Sequence, residues 1–372
     1  MSKSDRYKML PDFRVVSKVQ ILAETLDYNH EMMNIPHMWK ETRGGGVKLV
    51  VLDTGLPKHI DLDPVDSKSM IPDYLEDENG HATHVGGIIA AIAQNGMGVA
   101  GIAPGVDDYY GAVLDGEGGG SLDDVIRGIY WAVDEINADI INMSLGVPDY
   151  APLIKEMEAA CNHAVDQGCL VVAAAGNEAS GVGQPAMYDS VVAVAAVGSD
   201  REHAYFSNTG PEVDFATGGV DVYSTYLGNS YAKLSGTSMA SPALAAVAAL
   251  IKAKHRQQGT ELTPAQLKEH IRKIAYDVGP GGFDEMYGHG IPIFGKNGNT
   301  APEEPSEEQP NGSKQKDKGP SSNCLYWRTW TMFIQKVDRE LHDGAYLEDA
   351  FTEGIRLLAK ETKYIDRMLR RK

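Results

Sequence analysis

Five nearly continuous apolar runs constrain this chain more than any other feature: Val47–Leu52, Tyr109–Leu114, Ile140–Met143, Leu170–Ala175 and Val191–Val197. Each is short, and its apolar residues fall at successive rather than alternate positions. A strand of that kind must be covered on both faces, which is the situation inside a parallel sheet packed between helices. The helices come from the stretches between the runs, because Ser121–Ile136 and Pro152–Val165 carry apolar residues at three- and four-residue spacing. The pattern predicts an α/β fold, a doubly wound parallel sheet with flanking helices. Ligands of such sheets sit beyond the carboxyl ends of the strands. Asp53, Ser144-Leu145-Gly146 and Gly176-Asn177 each follow directly after an apolar run, so the topology gathers them on one rim.

A second feature says what that rim is for. Ser235-Gly236-Thr237-Ser238-Met239-Ala240-Ser241-Pro242 leads straight into the apolar stretch Ala243–Ile251 and reads as a serine set at the mouth of a helix. Gly236 lets the backbone turn sharply, and the hydroxyls of Thr237 and Ser238 are candidates to cap the first turn. Free N–H groups and the positive end of the helix dipole would face the charge that develops when Ser238 attacks a carbonyl. An ordinary N-cap is the competing reading. Two other stretches weigh against it: the apolar Val50-Val51-Leu52 ends in Asp53-Thr54-Gly55, and Asn79-Gly80-His81-Ala82-Thr83-His84-Val85-Gly86-Gly87 opens a helix with an imidazole. The chain order is then Asp, His, Ser, the order of one of three unrelated serine-protease triads.

With Leu52-Asp53-Thr54-Gly55, the His81 block, Asn142-Met143-Ser144-Leu145-Gly146, Ala173-Ala174-Ala175-Gly176-Asn177 and the Ser238 block in this sequence and at these intervals, the chain resembles the subtilisin-like serine proteases. The resemblance runs from about Ile35 to about Gly290, and is greatest to the intracellular subtilisins. It implies a serine endopeptidase that hydrolyses polypeptide substrates through an acyl-enzyme. Ser238 would be the nucleophile, His81 its general base and acid, and Asp53 the carboxylate that fixes the imidazole tautomer. His84, one turn later, is the competing imidazole; the family motif places the catalytic one first. Asn177 would donate to the oxyanion beside the Ser238 N–H.

The same resemblance implies binding by strand addition between two edges, Gly118-Gly119-Gly120 and Ser144-Leu145-Gly146. Leu122 and Leu145 would form a P4 pocket, and Gly183 would lie at the base of an open P1 pocket. It also implies calcium, held by Asp61, Asn95 and Glu24 together with backbone carbonyls of the loop 93–99. Ca²⁺ takes six to eight oxygens from such mixtures of carboxylate, amide and carbonyl.

Composition bounds the rest. A length of 372 residues suits one large α/β domain with appendages. The balance of 34 basic against 52 acidic residues gives a formal charge of −18, which argues against nucleic acid and suits a cation-binding protein. No apolar stretch at the N-terminus or elsewhere is long enough for a secretory signal or a membrane span. Three cysteines without metal-ligand spacing suit free thiols in a reducing, cytoplasmic setting.

Four segments are expected. Residues 1–22 form a short extension in which Met9-Leu10-Pro11-Asp12 resembles the cleft-covering motif of intracellular subtilisins without its tyrosine, as in a zymogen; the same stretch also reads as a plain unstructured terminus. Residues 23–295 form the catalytic domain. Residues 296–322, rich in Pro, Glu, Gly and Ser, read as a disordered linker. Residues 323–372 carry one apolar stripe on a charged helix and read as a small C-terminal helical hairpin, open to packing on the protease, to self-association as a homo-oligomer or to another partner. A binding protein that keeps the fold without the chemistry is the alternative to an active endopeptidase, and reactivity of Ser238 toward a fluorophosphonate separates the two.

Overall fold

The computed structural model describes residues 6–10, 14–19 and 23–295. Pro11 of the extension, Cys324, the linker at 296–322 and the helical hairpin at 323–372 lie outside the described residues. In chain order come β1 (Arg6–Lys8), β2 (Arg14–Val19), α1 (Tyr28–Met32), α2 (Ile35–Met38), β3 (Lys48–Asp53), β4 (Asp66–Ser69), α3 (His81–Ala90), β5 (Asp107–Ala112), β6 (Gly119–Ser121) and α4 (Leu122–Tyr130). A π-helical turn at Trp131–Glu135 follows, then β7 (Ile140–Met143), α5 (Lys155–Asp166), β8 (Leu170–Ala174), β9 (Val191–Val197), β10 (Val213–Gly218), β11 (Val222–Tyr226), β12 (Ser230–Ser235), α6 (Thr237–Gln257), α7 (Pro264–Ile274), β13 (Ala275–Tyr276) and β14 (Ile291–Pro292).

The main sheet has seven strands in the order β10-β9-β8-β7-β3-β5-β4, and every pairing in it is parallel. This is the α/β, doubly wound architecture that the apolar runs require. All residues of β7, β8 and β9 are buried, so these strands are covered on both faces. Two strands were not legible from apolar continuity. β4 is an edge strand of Asp, Ser and Lys with no buried residue, and β10 is interrupted by Asp214. The order of winding reverses between β3 and β7, which opens a crevice at their carboxyl ends, where Asp53 and Ser144 lie.

α6 explains why the core holds together. Its first 17 residues, Thr237 to Ala253, are all buried, and a helix that is apolar all round belongs inside the molecule rather than on it. The alanines let α3 and the strands β7, β8 and β9 approach it. α3 in turn needs its glycines: a β-carbon on Gly86 would meet the Tyr110 hydroxyl at 2.2 Å, and one on Gly87 would meet Ser224 Oγ and Thr225 Oγ1 at 2.2 Å. α3 stops at Ala90, the loop 91–99 leaves its axis, and the chain then rejoins the same ladder, with Ile102 N–H donating to Ile88 at 2.9 Å and Ala103 N–H to Ile89 at 2.8 Å. Among the described residues no helix is long and apolar enough to cross a membrane.

Candidate active site

Asp53 closes β3 with its carboxylate shut away from solvent, and the Thr54 N–H donates to Oδ1 at 2.7 Å. α3 then has to start in a fixed direction, yet its N-cap, Gly80, has no side chain to offer. Asp77 does the capping. Its carboxylate accepts from the N–H groups of Asn79, Gly80 and Thr83 at 3.0, 2.8 and 2.8 Å and from the Thr54 hydroxyl at 2.8 Å. Thr54 Oγ1 accepts from the Ala82 N–H at 3.0 Å, which ties the end of β3 to the first turn of α3. His81 is thereby aimed at Asp53, with Nδ1 2.8 and 3.0 Å from the two carboxylate oxygens and both side chains buried. That contact selects the tautomer protonated on Nδ1 and makes Nε2 the basic nitrogen.

His84 sits elsewhere. It is fully buried, and its Nε2 lies 3.1 Å from the carbonyls of both Val222 and Ala232, so it braces β11 against β12. Burial pushes its pKa down to about 3, which keeps it neutral.

Ser238 is the second residue of α6, buried at 1% exposure, and its hydroxyl donates to the Ser144 carbonyl at 3.2 Å. Capping by the Thr237 and Ser238 hydroxyls does not occur. The Thr237 hydroxyl instead donates to Asn177 Oδ1 at 2.8 Å and accepts from the Gly176 N–H at 3.1 Å. Nor does Gly236 make a sharp glycine-only turn: its φ of 162° is extended backbone open to any residue. What glycine supplies is room, since a β-carbon there would stand 3.1 Å from Asn177 Nδ2.

Asn177 is held by its oxygen. Oδ1 accepts from both the N–H and the hydroxyl of Thr237 at 2.8 Å, which turns Nδ2 the other way. That nitrogen is buried and has no hydrogen-bond partner among the described residues. An unused buried donor is costly unless something is meant to meet it. The rim thus gathers a serine hydroxyl, an imidazole oriented by a carboxylate, and an amide donor with no partner among the described residues.

The two edges already hold a strand. β1 runs antiparallel to β6, with Tyr7 opposite Gly120 and Lys8 opposite Gly119. The N–H groups of Met9 and Leu10 point at the Gly118 carbonyl at 3.2 and 3.3 Å, and the Gly146 N–H donates to the Met9 carbonyl at 2.9 Å. Met9 and Leu10 are buried at 1% and 3% exposure. Beside Ser238 lies a pocket whose walls include Leu145, Gly146, Gly183 and Gln184, and whose charged lining residues are Lys8 and Glu178. A β-carbon on Gly183 would fall 2.6 Å from the Val147 carbonyl, so only glycine leaves that wall flat. Leu122 is buried at the start of α4 and does not line this pocket.

The loop after α3 brings Glu24, Asp61 and Asn95 together. The Glu24 carboxylate accepts from the Asn95 and Gly96 N–H groups at 3.0 and 3.3 Å, and Asp61 accepts from the Asn95 amide, from the Val99 N–H at 3.3 Å and from the Tyr231 hydroxyl at 3.1 Å. Asp61 is closed to solvent with no cationic side chain paired to it among the described residues, and burial raises its pKa. A buried carboxylate beside a second carboxylate supplies hard oxygens of the kind Ca²⁺ takes, whereas the Asn95 amide turns its nitrogen to Asp61 and would add an oxygen only in the flipped orientation. Among the described residues no three His, Cys, Asp or Glu side chains gather into a metal-binding group, so an ion here would draw on amide and backbone oxygens as well.

The sequence reading did not single out Asp77 or the role of Thr54, and it took Thr237 for a cap. Asp77, an acidic residue just ahead of a helix, carried a capping signal. The actual role of Thr237 carried none, since it depends on Asn177, 60 positions away.

The subtilase family matches residues 44–290, the span that contains the sheet and Asp53, His81, Asn177 and Ser238. An intracellular serine protease of Paenibacillus polymyxa is 40% identical over 299 residues, 75% of this chain and 88% of the relative. Subtilisin DY of Bacillus licheniformis is 41% identical over 278 residues, 72% of this chain and 97% of the relative. The minor extracellular protease Epr of Bacillus subtilis is 39% identical over 286 residues, 75% of this chain but 43% of that longer protein. A parallel sheet with these motifs on its rim and relatives of this similarity lead to one assignment: the chain belongs to the subtilase family of serine endopeptidases.

Proposed function

We propose that this chain cleaves polypeptides with Asp53, His81 and Ser238 as its catalytic triad and Asn177 as an oxyanion donor. The observation that carries the reading is the buried contact of His81 Nδ1 with both Asp53 oxygens on the rim that also holds Ser238. As Ser238 Oγ bonds to the scissile carbonyl carbon, His81 Nε2 takes the hydroxyl proton and the carbonyl oxygen becomes an alkoxide. Asn177 Nδ2 and the Ser238 N–H donate to that oxygen. Collapse breaks the C–N bond, and the imidazolium returns its proton to the leaving amine. Water repeats the sequence on the acyl-enzyme, releasing the acid and restoring Ser238. Asp53 stays ionised throughout and stabilises the imidazolium. Ser238→Ala should lower kcat by about 10⁶, the loss known for the nucleophile of subtilisin, without lowering Tm. Retained activity in that variant overturns the assignment.

The N-terminal strand is a restraint on this site. Its pairing with β6 and Gly146, and the presence of Lys8 in the wall beside Ser238, support the view that it lies where a substrate strand would. Calcium would be held by Asp61, Asn95 and Glu24 with carbonyls of the loop 93–99, and would supply stability rather than chemistry. A cytoplasmic site of action is supported by the relative named as intracellular and by Cys161 and Cys169, both free and buried; fractionation of expressing cells tests it.

A further inference from the structure

Regular α-helix geometry has the Ser238 carbonyl accept from the amide four residues on, but that residue is Pro242, which has no N–H. The carbonyl is not left orphaned. Ser144 Oγ lies 2.8 Å away and donates to it. With its one proton committed, the same oxygen accepts from Asn142 Nδ2 at 3.0 Å and from Ser241 Oγ at 2.9 Å. Asn142, Ser144 and Ser241 have no solvent exposure and Ser238 has 1%, so water is no substitute for any of these bonds. Ser144 also meets the nucleophile from its main chain, since its carbonyl accepts from Ser238 Oγ at 3.2 Å. One residue at the end of β7 thus holds both the hydroxyl and the peptide of Ser238.

We propose that Ser144 is a positioning residue for the reaction: its side-chain hydroxyl supplies the hydrogen bond that Pro242 withholds, and so fixes the Ser238 peptide with its Oγ and N–H in the attacking arrangement. The inference rests on Ser238 being the nucleophile and goes beyond it. Pro242 is then part of the device. By cancelling the intrahelical bond, it places the first turn of α6 under the control of Ser144, the residue that opens the substrate-pairing segment Ser144-Leu145-Gly146. A small displacement of reacting atoms is costly; about 1 Å can lose about a hundredfold in rate.

A role in packing alone would make Ser144→Ala equally harmful whatever stands at 242. The test is therefore a double-mutant cycle on the full chain, reading kcat, KM, the rate of fluorophosphonate labelling and thermal unfolding. Ser144→Ala in the wild-type background should lower kcat and the labelling rate about tenfold with KM within about twofold. In the Pro242→Ala background, where an amide at 242 can again reach the Ser238 carbonyl, the same change should cost less than about threefold in kcat, and the fall in Tm should shrink with it because the buried carbonyl is no longer orphaned. Equal fold losses of kcat in the two backgrounds overturn the proposal. If Ser144→Ala does not fold, Ser144→Cys, which keeps the shape and weakens the donor, takes its place and is judged by the same inequality. A wild-type chain whose Ser238 takes no label at all would instead sink the nucleophile assignment.

Discussion

Leu10→Ala separates docking of the N-terminal strand from the chemistry of the cleft. Leu10 is 3% exposed and lies against Gly118, where an added β-carbon would come within 2.9 Å of the leucine side chain. The backbone bonds from Met9 and Leu10 to Gly118, and from Gly146 to Met9, do not use the side chain and survive the change. What is lost is burial of the leucine beyond its β-carbon, about 2 kcal/mol. At 1.36 kcal/mol per factor of ten, that multiplies the undocked fraction by about thirty. As long as the docked form dominates, peptidase activity rises in proportion. The assay compares initial rates on a fluorogenic peptide for the parent and Leu10→Ala, both with residues 13–22 replaced by a sequence the enzyme does not cut. A chain beginning near Ile21 sets the ceiling. Equal rates for all three from the first seconds would refute the reasoning, because a strand that blocks nothing has nothing to release.

Three further outcomes follow from the geometry. Thr237→Val removes the hydroxyl that holds Asn177 Oδ1, so kcat should fall about 10- to 100-fold with KM little changed, less than the loss of about 10² to 10³ known for the oxyanion-hole asparagine of subtilisin; a larger change in KM than in kcat would contradict it. Burial holds His84 at a pKa of about 3 against 6.5 for a free histidine, so the unfolded chain takes up its proton first and stability drains away as pH falls through that window. His30, pushed down to about 4 by burial, adds to this slope, and Asp108, pushed up to about 6 by burial, opposes it; His84→Asn should therefore lower Tm at pH 8 yet show a shallower fall between about pH 6.5 and 4 than wild type, and parallel curves would refute this. Calcium at a hundredfold excess over Kd should add about 2.7 kcal/mol of stability, and Asp61→Ala should abolish the response; a Tm indifferent to chelator after exhaustive exchange counts against the site.

The sheet was legible because burial on both faces leaves a mark in composition: β8 and β9 are unbroken apolar runs, and β7 is apolar but for Asn142. β4 leaves no such mark, since an edge strand of Asp, Ser and Lys buries no side chain and pairs on one side only, with β5. The rim could be read for the same reason as the sheet, because parallel strands deliver their carboxyl ends to one side. The contacts that orient the rim were a different matter. That the Thr237 hydroxyl serves Asn177 instead of capping α6, and that Ser144 serves the carbonyl Pro242 has abandoned, are facts of three-dimensional proximity between β7, β8 and α6. No local periodicity encodes them. Gly236 shows the limit most plainly: glycine suggested a special dihedral, whereas the structure uses the absence of a β-carbon beside Asn177 Nδ2.

Whether Ser238 is a nucleophile activated by His81 and Asp53 is decided by treating the protein with a fluorophosphonate and mapping the adduct by mass spectrometry. A single adduct is expected on Ser238 in the wild-type chain, lost in Ser238→Ala and slowed by several orders of magnitude in His81→Ala, while His84→Asn still labels. Labelling on another serine, or labelling of Ser238 that survives His81→Ala at the wild-type rate, would contradict it.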